Sequence, residues 1–206
     1  GDTVVASFCV MATGCLSVPL LPDIPGVQNF KGNLYQASKW PHQPVSFKNQ
    51  RVGIIGTGSS GIQAIPVIAE EADHLTVFQR TPNFSVPAKN EPLDQNWVSE
   101  FKKNYRAHRK NHKHAIGAGF GDLKIEPIDK PVEPVLRSQL SEEQATQILE
   151  DAWATGGAKF MGAISDQLMN EEANEFAKEF VHRKIRETVA DKETANLLCP
   201  TNHPIG

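Results

Sequence analysis

The sequence predicts an α/β fold: a partial three-layer arrangement around a parallel sheet, carrying a mostly helical insertion. Three observations predict it. Val52, Ile54 and Ile55 make a short apolar run of the kind that forms a buried parallel strand. Gly56, Gly58 and Gly61 follow at once in a G-x-G-x-x-G pattern, with Ile62, Ile65, Val67, Ile68 and Ala69 behind them in a helical pattern. Leu75-Thr76-Val77-Phe78 then supplies a second strand. Strand, glycine turn, helix and strand in this order make the opening of a Rossmann-type dinucleotide-binding unit.

Each glycine has a role in that reading. Gly56 makes the tight turn, Gly58 lets a pyrophosphate approach the backbone, and Gly61 lets the helix pack close to the strand. The phosphates would rest on the free N–H groups and positive dipole end of the helix. The second strand runs out through Phe78-Gln79-Arg80-Thr81. An NAD site needs an acidic residue about 20 positions past the motif to hold the ribose 2′-hydroxyl. Arg80 stands 19 positions after Gly61, with no Asp or Glu beside it. A guanidinium can pair bidentately with a 2′-phosphate, so NADP(H) is expected over NAD(H). The alternatives are a glycine-rich turn with no ligand and an Arg that only closes a strand end in solvent.

The remaining elements follow in chain order. Thr3 to Ala12 is apolar and partly β-branched, which predicts a strand ending in the small-residue turn Ala12-Thr13-Gly14. Cys15 to Pro25 carries prolines at 19, 22 and 25 and reads as an extended linker. Gly26 to Pro44 is irregular, anchored by Phe30, Tyr35 and Trp40, and Phe47 to Gln50 turns into the central strand.

Beyond Pro87 the pattern becomes helical. Leu93 to His114 reads as a helix in which Trp97, Phe101 and Tyr105 recur at spacing four and share a face, more in keeping with core than with a ligand cage. Arg106, His108, Arg109, Lys110, His112, Lys113 and His114 form a basic cluster expected on a solvated face, and no metal site is expected from it. Ala115 to Val135 reads as a loop. Ser141-Glu-Glu-Gln144 is a capping box opening a helix with Ile148, Leu149, Ala152 and Trp153 on its apolar face, ended by Gly156-Gly157. Asn170 caps a longer helix burying Phe176, Phe180, Val181 and Ile185, and Asp191 starts a short final one.

Composition excludes several classes. The chain has 206 residues, is 39% hydrophobic and carries a net charge of −3, an ordinary globular balance that suggests no nucleic-acid partner. Its apolar runs are too short to span a bilayer, and no signal peptide pattern is present, so no membrane association is expected. Cys9, Cys15 and Cys199 have no metal-ligand spacing and read as reduced thiols of a cytoplasmic protein. Gly1 in place of an initiator Met, and a loop-like end at Pro204-Ile205-Gly206, point to an internal piece of a longer protein.

Phe30-Lys-Gly32-Asn-Leu-Tyr-Gln36-Ala-Ser-Lys-Trp40-Pro41 stands just before the glycine motif. It resembles the Baeyer–Villiger monooxygenase fingerprint F-x-G-x-x-x-H-x-x-x-W-P. Phe30, Gly32, Trp40 and Pro41 match, and Gln36 replaces the family's His. Ala12-Thr13-Gly14 is similar to the family's return from the flavin domain. Gly56 to Gly61 is similar to its NADPH motif, and Phe78 to Pro82 to the stretch after it. Cys199-Pro200 through Gly206 is similar to the lead-in to the family's Lys-Arg pair. Within the family the chain looks closest to the phenylacetone and cyclic-ketone branch.

The resemblance implies an FAD- and NADPH-dependent ketone oxygenase, which uses O2 to insert one oxygen atom beside a carbonyl and yields an ester or lactone. It implies Thr57, Ser59, Ser60 and Gln63 around the pyrophosphate, Arg80 and Thr81 on the 2′-phosphate, and Thr13 and Gly14 on the FAD side. It places the catalytic Arg beyond Gly206 and most of the FAD site before Gly1, so no catalytic residue is expected here and the piece alone is expected to be inactive. The implied organisation is residues 1–25 as the end of the FAD domain and linker, 26–89 as the NADP-binding part with the fingerprint, 90–198 as the helical insertion and 199–206 as the return. Gln36 can donate and accept hydrogen bonds but cannot titrate near neutral pH, so altered NADPH coupling rather than lost function is expected. Two other readings stand beside this one: another flavin-containing monooxygenase of N- or S-oxygenating type, and a non-catalytic NADP-binding module. The ketone and the oligomeric state are not legible.

Overall fold

A computed structural model of the chain describes residues 3–14, 18–112 and 134–205. The chain divides into two compact units, Gly1–Arg80 and Thr81–Gly206.

The first unit is built around two parallel strands. Strand β1, Arg51–Ile55, pairs with β2, His74–Phe78, in a register that sets Gly53 opposite Thr76 and Ile55 opposite Phe78. Helix α1, Ser59–Glu71, connects them. Parallel strands require such a crossover, because a tight turn can only reverse the chain. Pro66 lies inside α1 and has no N–H to offer the preceding turn. The far end of α1 is tied down by Glu71, whose carboxylate accepts from the Phe47 N–H at 2.9 Å and from the Ser46 hydroxyl at 3.3 Å. Asp73 N–H donates to the Gln50 carbonyl at 3.0 Å, which fixes the start of β2 beside the start of β1.

Two expectations for this unit are corrected. Thr3–Ala12 forms no strand: Val4, Val5, Phe8, Val10 and Met11 are all more than 75% exposed. A strand is stabilised by ladder partners and a covered face, and none of the described residues supplies either to this segment. The central strand is also less covered than its apolar run predicts. Val52 and Ile54 are half-buried, but Ile55 is 73% exposed. Among the described residues the sheet has two strands, β1 and β2.

The second unit is helical. Helices α2, Gln95–Lys103, and α3, Tyr105–His112, break at Asn104, where the sequence predicts one continuous helix. Asp94 caps α2 by accepting from the Asn96 N–H at 2.9 Å. Trp97 stacks on Phe101 with centroids 5.1 Å apart, and Phe101 meets Tyr105 edge-on at 6.0 Å. The stripe exists as predicted, yet it is no core, since Tyr105 is 48% exposed. The predicted loop from Ala115 to Val135 lies almost wholly outside the described residues, as do Lys113 and His114 of the basic cluster.

Helix α4, Glu142–Thr155, opens with the capping box read from the sequence. Ser141 accepts from the Gln144 N–H at 3.2 Å, and Gln144 accepts from the Ser141 N–H at 3.0 Å. Gly156 ends it at φ 75°, and a Cβ there would collide with the carbonyl of Pro87. Helix α5, Glu171–Thr188, is capped by Asn170, and helix α6, Lys192–Leu198, by Asp191. Ala145 and Leu149 of α4, Phe160 and Ile164 of the connection, Ala177, Phe180 and Val181 of α5, and Ile205 form one buried cluster. Trp153, Phe160 and Phe180 meet pairwise within it at 5.7 to 5.9 Å.

Candidate functional site

The glycine turn between β1 and α1 carries the first unit's candidate chemistry. Gly56 adopts φ 99°, a left-handed conformation that disfavours side chains, and its N–H donates to the Phe78 carbonyl at 2.9 Å. Gly58 is the N-cap of α1, with no side chain capping the helix from that position. Nothing approaches within 4 Å of where its Cβ would be, so its backbone faces open space. At Gly61 the opposite holds: a Cβ would collide with the Gly56 carbonyl, so only glycine lets the first helical turn sit this close to the strand exit. An uncapped helix start with an open backbone approach fits a pyrophosphate, which accepts from free N–H groups.

The other site residues are placed as follows. Thr57 is half-buried in the turn, and Ser59 and Ser60 are exposed in the first turn of α1. Gln63 turns back, its Nε2 donating to the Ser59 carbonyl at 2.7 Å. Arg80 is exposed two residues past the end of β2. Thr81 begins the second unit and is half-buried there. Thr13 and Gly14 lie in an irregular, exposed stretch, Gly14 with φ 70°.

The motif preceding β1 is held by local packing. Gly32 lies so close under the Phe30 ring that a Cβ would approach to 2.7 Å. Trp40 packs with Tyr35 and Phe47 at centroid distances of 5.6 and 6.2 Å, and Pro41 follows, half-buried. Gln36 precedes a 3₁₀ turn, Ala37–Lys39, and its Nε2 donates to the Leu20 carbonyl at 2.8 Å. That bond joins the fingerprint to the linker, a structural duty the sequence alone did not reveal.

The second unit contains a cluster that sequence reasoning missed. A pocket of about 350 Å³ is lined by Asn83, Phe84, Val86, Met161, His203, Pro204 and Ile205. Phe84 stacks on the buried His182 at 5.7 Å and meets His203 edge-on at 5.4 Å. His182 Nε2 lies 2.8 Å from the Pro200 carbonyl. The Asn174 amide donates to the Ile205 carbonyl at 2.9 Å and accepts from its N–H at 3.1 Å, so both backbone groups of Ile205 are satisfied. His203 has a carbonyl oxygen 3.0 Å from each ring nitrogen, Pro204 at Nδ1 and Pro82 at Nε2. These two carbonyls, Pro204 first, hold its pKa above the ordinary histidine value, against weaker opposition from desolvation and Lys178. Among the described residues no group of three or more His, Cys, Asp or Glu side chains could hold a metal ion, and no helix is long and apolar enough to cross a membrane.

Residues 2–91 match the family described as FMO-like, flavin-binding monooxygenase-like. That stretch contains both strands and the glycine turn between them. More particularly, the chain is homologous over nearly its whole length to Baeyer–Villiger monooxygenases, as the fingerprint implies. It is 40% identical to cyclohexanone 1,2-monooxygenase of Acinetobacter sp., over 97% of this chain and 35% of the relative. It is 36% identical to phenazine N-monooxygenase PhzNO1 of Lysobacter antibioticus, over 98% of this chain and 36% of the relative. Among solved structures, OTEMO in complex with FAD and NADP matches with a TM-score of 0.82 and 34% identity, over 95% of this chain and 36% of that one. The chain therefore spans about a third of the length of the relatives it matches.

Proposed function

We propose that these residues form the NADPH-binding portion of an FAD-dependent Baeyer–Villiger monooxygenase. Such an enzyme takes a ketone and O2 and yields an ester or lactone. The observation that carries the reading is the glycine turn: an uncapped helix start, open backbone at Gly58, and a Gly61 that can bear no side chain. Bound NADPH supplies a hydride, and FAD supplies the oxygen chemistry. The chain's own residues bind and orient. Gly56, Thr57, Gly58, Ser59, Ser60 and Gly61 present N–H and hydroxyl groups to the pyrophosphate, and Gln63 supports the turn through the Ser59 carbonyl. Arg80 and Thr81 take the 2′-phosphate, and Thr13 and Gly14 face the FAD side. In this reading residues 1–25 close an FAD domain, 26–89 bind NADP, 90–198 are the insertion, and 199–206 return to the NADP domain. Cys199 is a buried free thiol, which supports a reducing, cytoplasmic location.

One observation favours an N-oxygenating enzyme, namely the 36% identity to a phenazine N-monooxygenase. Trp40-Pro41 and the 40% identity to cyclohexanone 1,2-monooxygenase support the ketone reading instead.

The test titrates the full-length flavoprotein with NADP⁺ and NAD⁺, then repeats both on Arg80→Ala. Losing a charge-assisted phosphate contact is expected to weaken NADP⁺ by about 1.5–3 kcal/mol, roughly ten- to a hundredfold, with NAD⁺ unchanged. Equal affinities for the two nucleotides that survive the mutation would remove the NADP assignment. Lactone from a cyclic ketone, measured against N-oxide from a heteroaromatic amine, separates the two reactions.

A further inference from the structure

We propose that Glu71 is a positioning residue for the pyrophosphate: it clasps the far end of α1 to the segment that packs on Trp40, and so fixes where the first turn of α1 presents its N–H groups. The proposal rests on the dinucleotide reading of the glycine turn.

Glu71 is the last residue of α1, and no basic residue stands in that turn. A carboxylate there faces the negative end of the helix dipole, so on local grounds it is unfavourable. Two bonds offset this. Glu71 Oε2 accepts from the Phe47 N–H at 2.9 Å and from the Ser46 hydroxyl at 3.3 Å, across 24 and 25 residues of chain.

The partner segment is itself braced. Ser46 Oγ accepts from the Lys48 N–H at 3.4 Å, and the Gln50 side-chain amide donates to the Ser46 carbonyl at 3.1 Å. The Gln50 N–H donates to the Phe47 carbonyl at 3.2 Å. Phe47 is buried, and its ring meets Tyr35 edge-on at 6.1 Å and Trp40 at 6.2 Å. One residue therefore belongs to both groups. Its ring lies in the aromatic cluster of the fingerprint, and its N–H is held by Glu71.

Helix α1 carries this hold to the nucleotide. It runs unbroken for 13 residues, about 20 Å, from the glycine turn to Glu71. At the near end Gly61 sits against the Gly56 carbonyl. At the far end a shift of about 1 Å along the axis would stretch the 2.9 Å bond to Phe47 past hydrogen-bonding reach. The uncapped start at Gly58 is the cradle for the pyrophosphate, and its N–H groups move with the helix. Glu71 thus acts on the part of the nucleotide that NADP⁺ and NAD⁺ share.

The experiment measures the affinity of the full-length flavoprotein for NADP⁺ and NAD⁺, with its melting temperature, in wild type, Glu71→Ala, Glu71→Gln and Ile68→Val. Glu71 is exposed, so neither of its substitutions opens a cavity, and flavin absorbance checks that each variant is folded. Glu71→Ala is expected to weaken both nucleotides by the same factor, about two- to tenfold, the worth of one such bond. The preference between them should not change. Glu71→Gln keeps an oxygen acceptor and should bind as wild type does. Ile68→Val loosens the packing of the same helix one turn away without touching the clasp. It should lower the melting temperature and leave both affinities unchanged. Trp40→Ala tests the link to the fingerprint: its cost in affinity should shrink when Glu71→Ala is already present.

A Glu71→Ala protein that melts lower but binds both nucleotides like wild type overturns the proposal, because the clasp then only stabilises. Equal weakening by Ile68→Val overturns it as well, since binding would then track stability. A loss confined to NADP⁺ places the effect at the 2′-phosphate and overturns it too. Strictly additive costs for Trp40→Ala and Glu71→Ala overturn the link to the fingerprint. A wild type that binds neither nucleotide removes the dinucleotide reading itself, and this proposal with it.

Discussion

Among the described residues of 1–80 the buried apolar side chains are Phe47 and Ile68, while Val4, Phe8, Ile55, Val67 and Phe78 are each more than half exposed. In residues 81–206 Leu149, Phe160, Ile164 and Val181 are wholly buried in one cluster, with Phe180 and Ile205 almost so. The first unit nevertheless contains the glycine turn, and the second holds none of its parts. That turn is made by backbone: a positive φ at Gly56, a close approach at Gly61, an uncapped helix start at Gly58. Those features depend on residues close in sequence and on one pair of strands. The helical unit depends instead on side chains brought together from distant parts of the chain. Substitutions in the turn and in the core therefore act through different contacts.

The largest expected effect tests the core. Phe180→Ala removes a buried ring that meets both Trp153 and Phe160, and is expected to cost about 3–5 kcal/mol. Chemical denaturation, followed by fluorescence sensitive to Trp153, measures it. The NADP⁺-to-NAD⁺ preference of whatever fraction stays folded should be unchanged. A changed preference would show that the helical core contributes to nucleotide selection.

Next comes a pair of substitutions in the cradle. Gly61→Ala sets a methyl against the Gly56 carbonyl and is expected to lower stability by about 1–3 kcal/mol and to weaken NADP⁺ as well. Gly58→Ala meets nothing within 4 Å, so it should leave the melting temperature nearly unchanged while still weakening NADP⁺, because the methyl stands where the pyrophosphate approaches. Normal NADP⁺ binding by Gly58→Ala would show that the phosphate does not lie over this turn.

The smallest effect is a pH dependence confined to the second unit. The Asp191 pKa is lowered by hydrogen bonds from Thr194, the side-chain bond first and the backbone N–H second. A lowered folded pKa means stability that is present above the ordinary 3.8 and lost as pH falls through the lowered value. The His203 pKa is raised, so its contribution is complete below 6.5 and lost as pH rises through the raised value. Both contributions are present together between 3.8 and 6.5. Thermal melts across pH should show stability declining above that window in wild type and a flatter upper limb in His203→Gln. An unchanged upper limb in the variant would remove His203 from the pH dependence.

The candidate site was read from local chemistry. The glycine spacing named the turn, and Arg80 without a neighbouring acid named the nucleotide expected. The capping residues Ser141, Asn170 and Asp191 marked helix starts that the structure reproduces. The misreadings share a different cause. Thr3–Ala12 has strand composition but no strand partner, and Trp97, Phe101 and Tyr105 share a face without being buried as core. Composition states what a segment could bury, and only neighbours decide whether it does. His203 carried no sequence signal, since a lone histidine beside a proline is common in loops.

The sequence by itself determined the helix caps at Ser141, Asn170 and Asp191 and the glycine turn, because φ preference, helical spacing and end-capping act over a few residues. Tertiary structure alone decided which faces are covered and which polar groups meet. Asn174 reaches Ile205 across 31 residues, and His203 reaches Pro82 across 121. Contacts at that separation exist only after the chain has closed the loops between them, and that closure depends on the buried cluster as a whole.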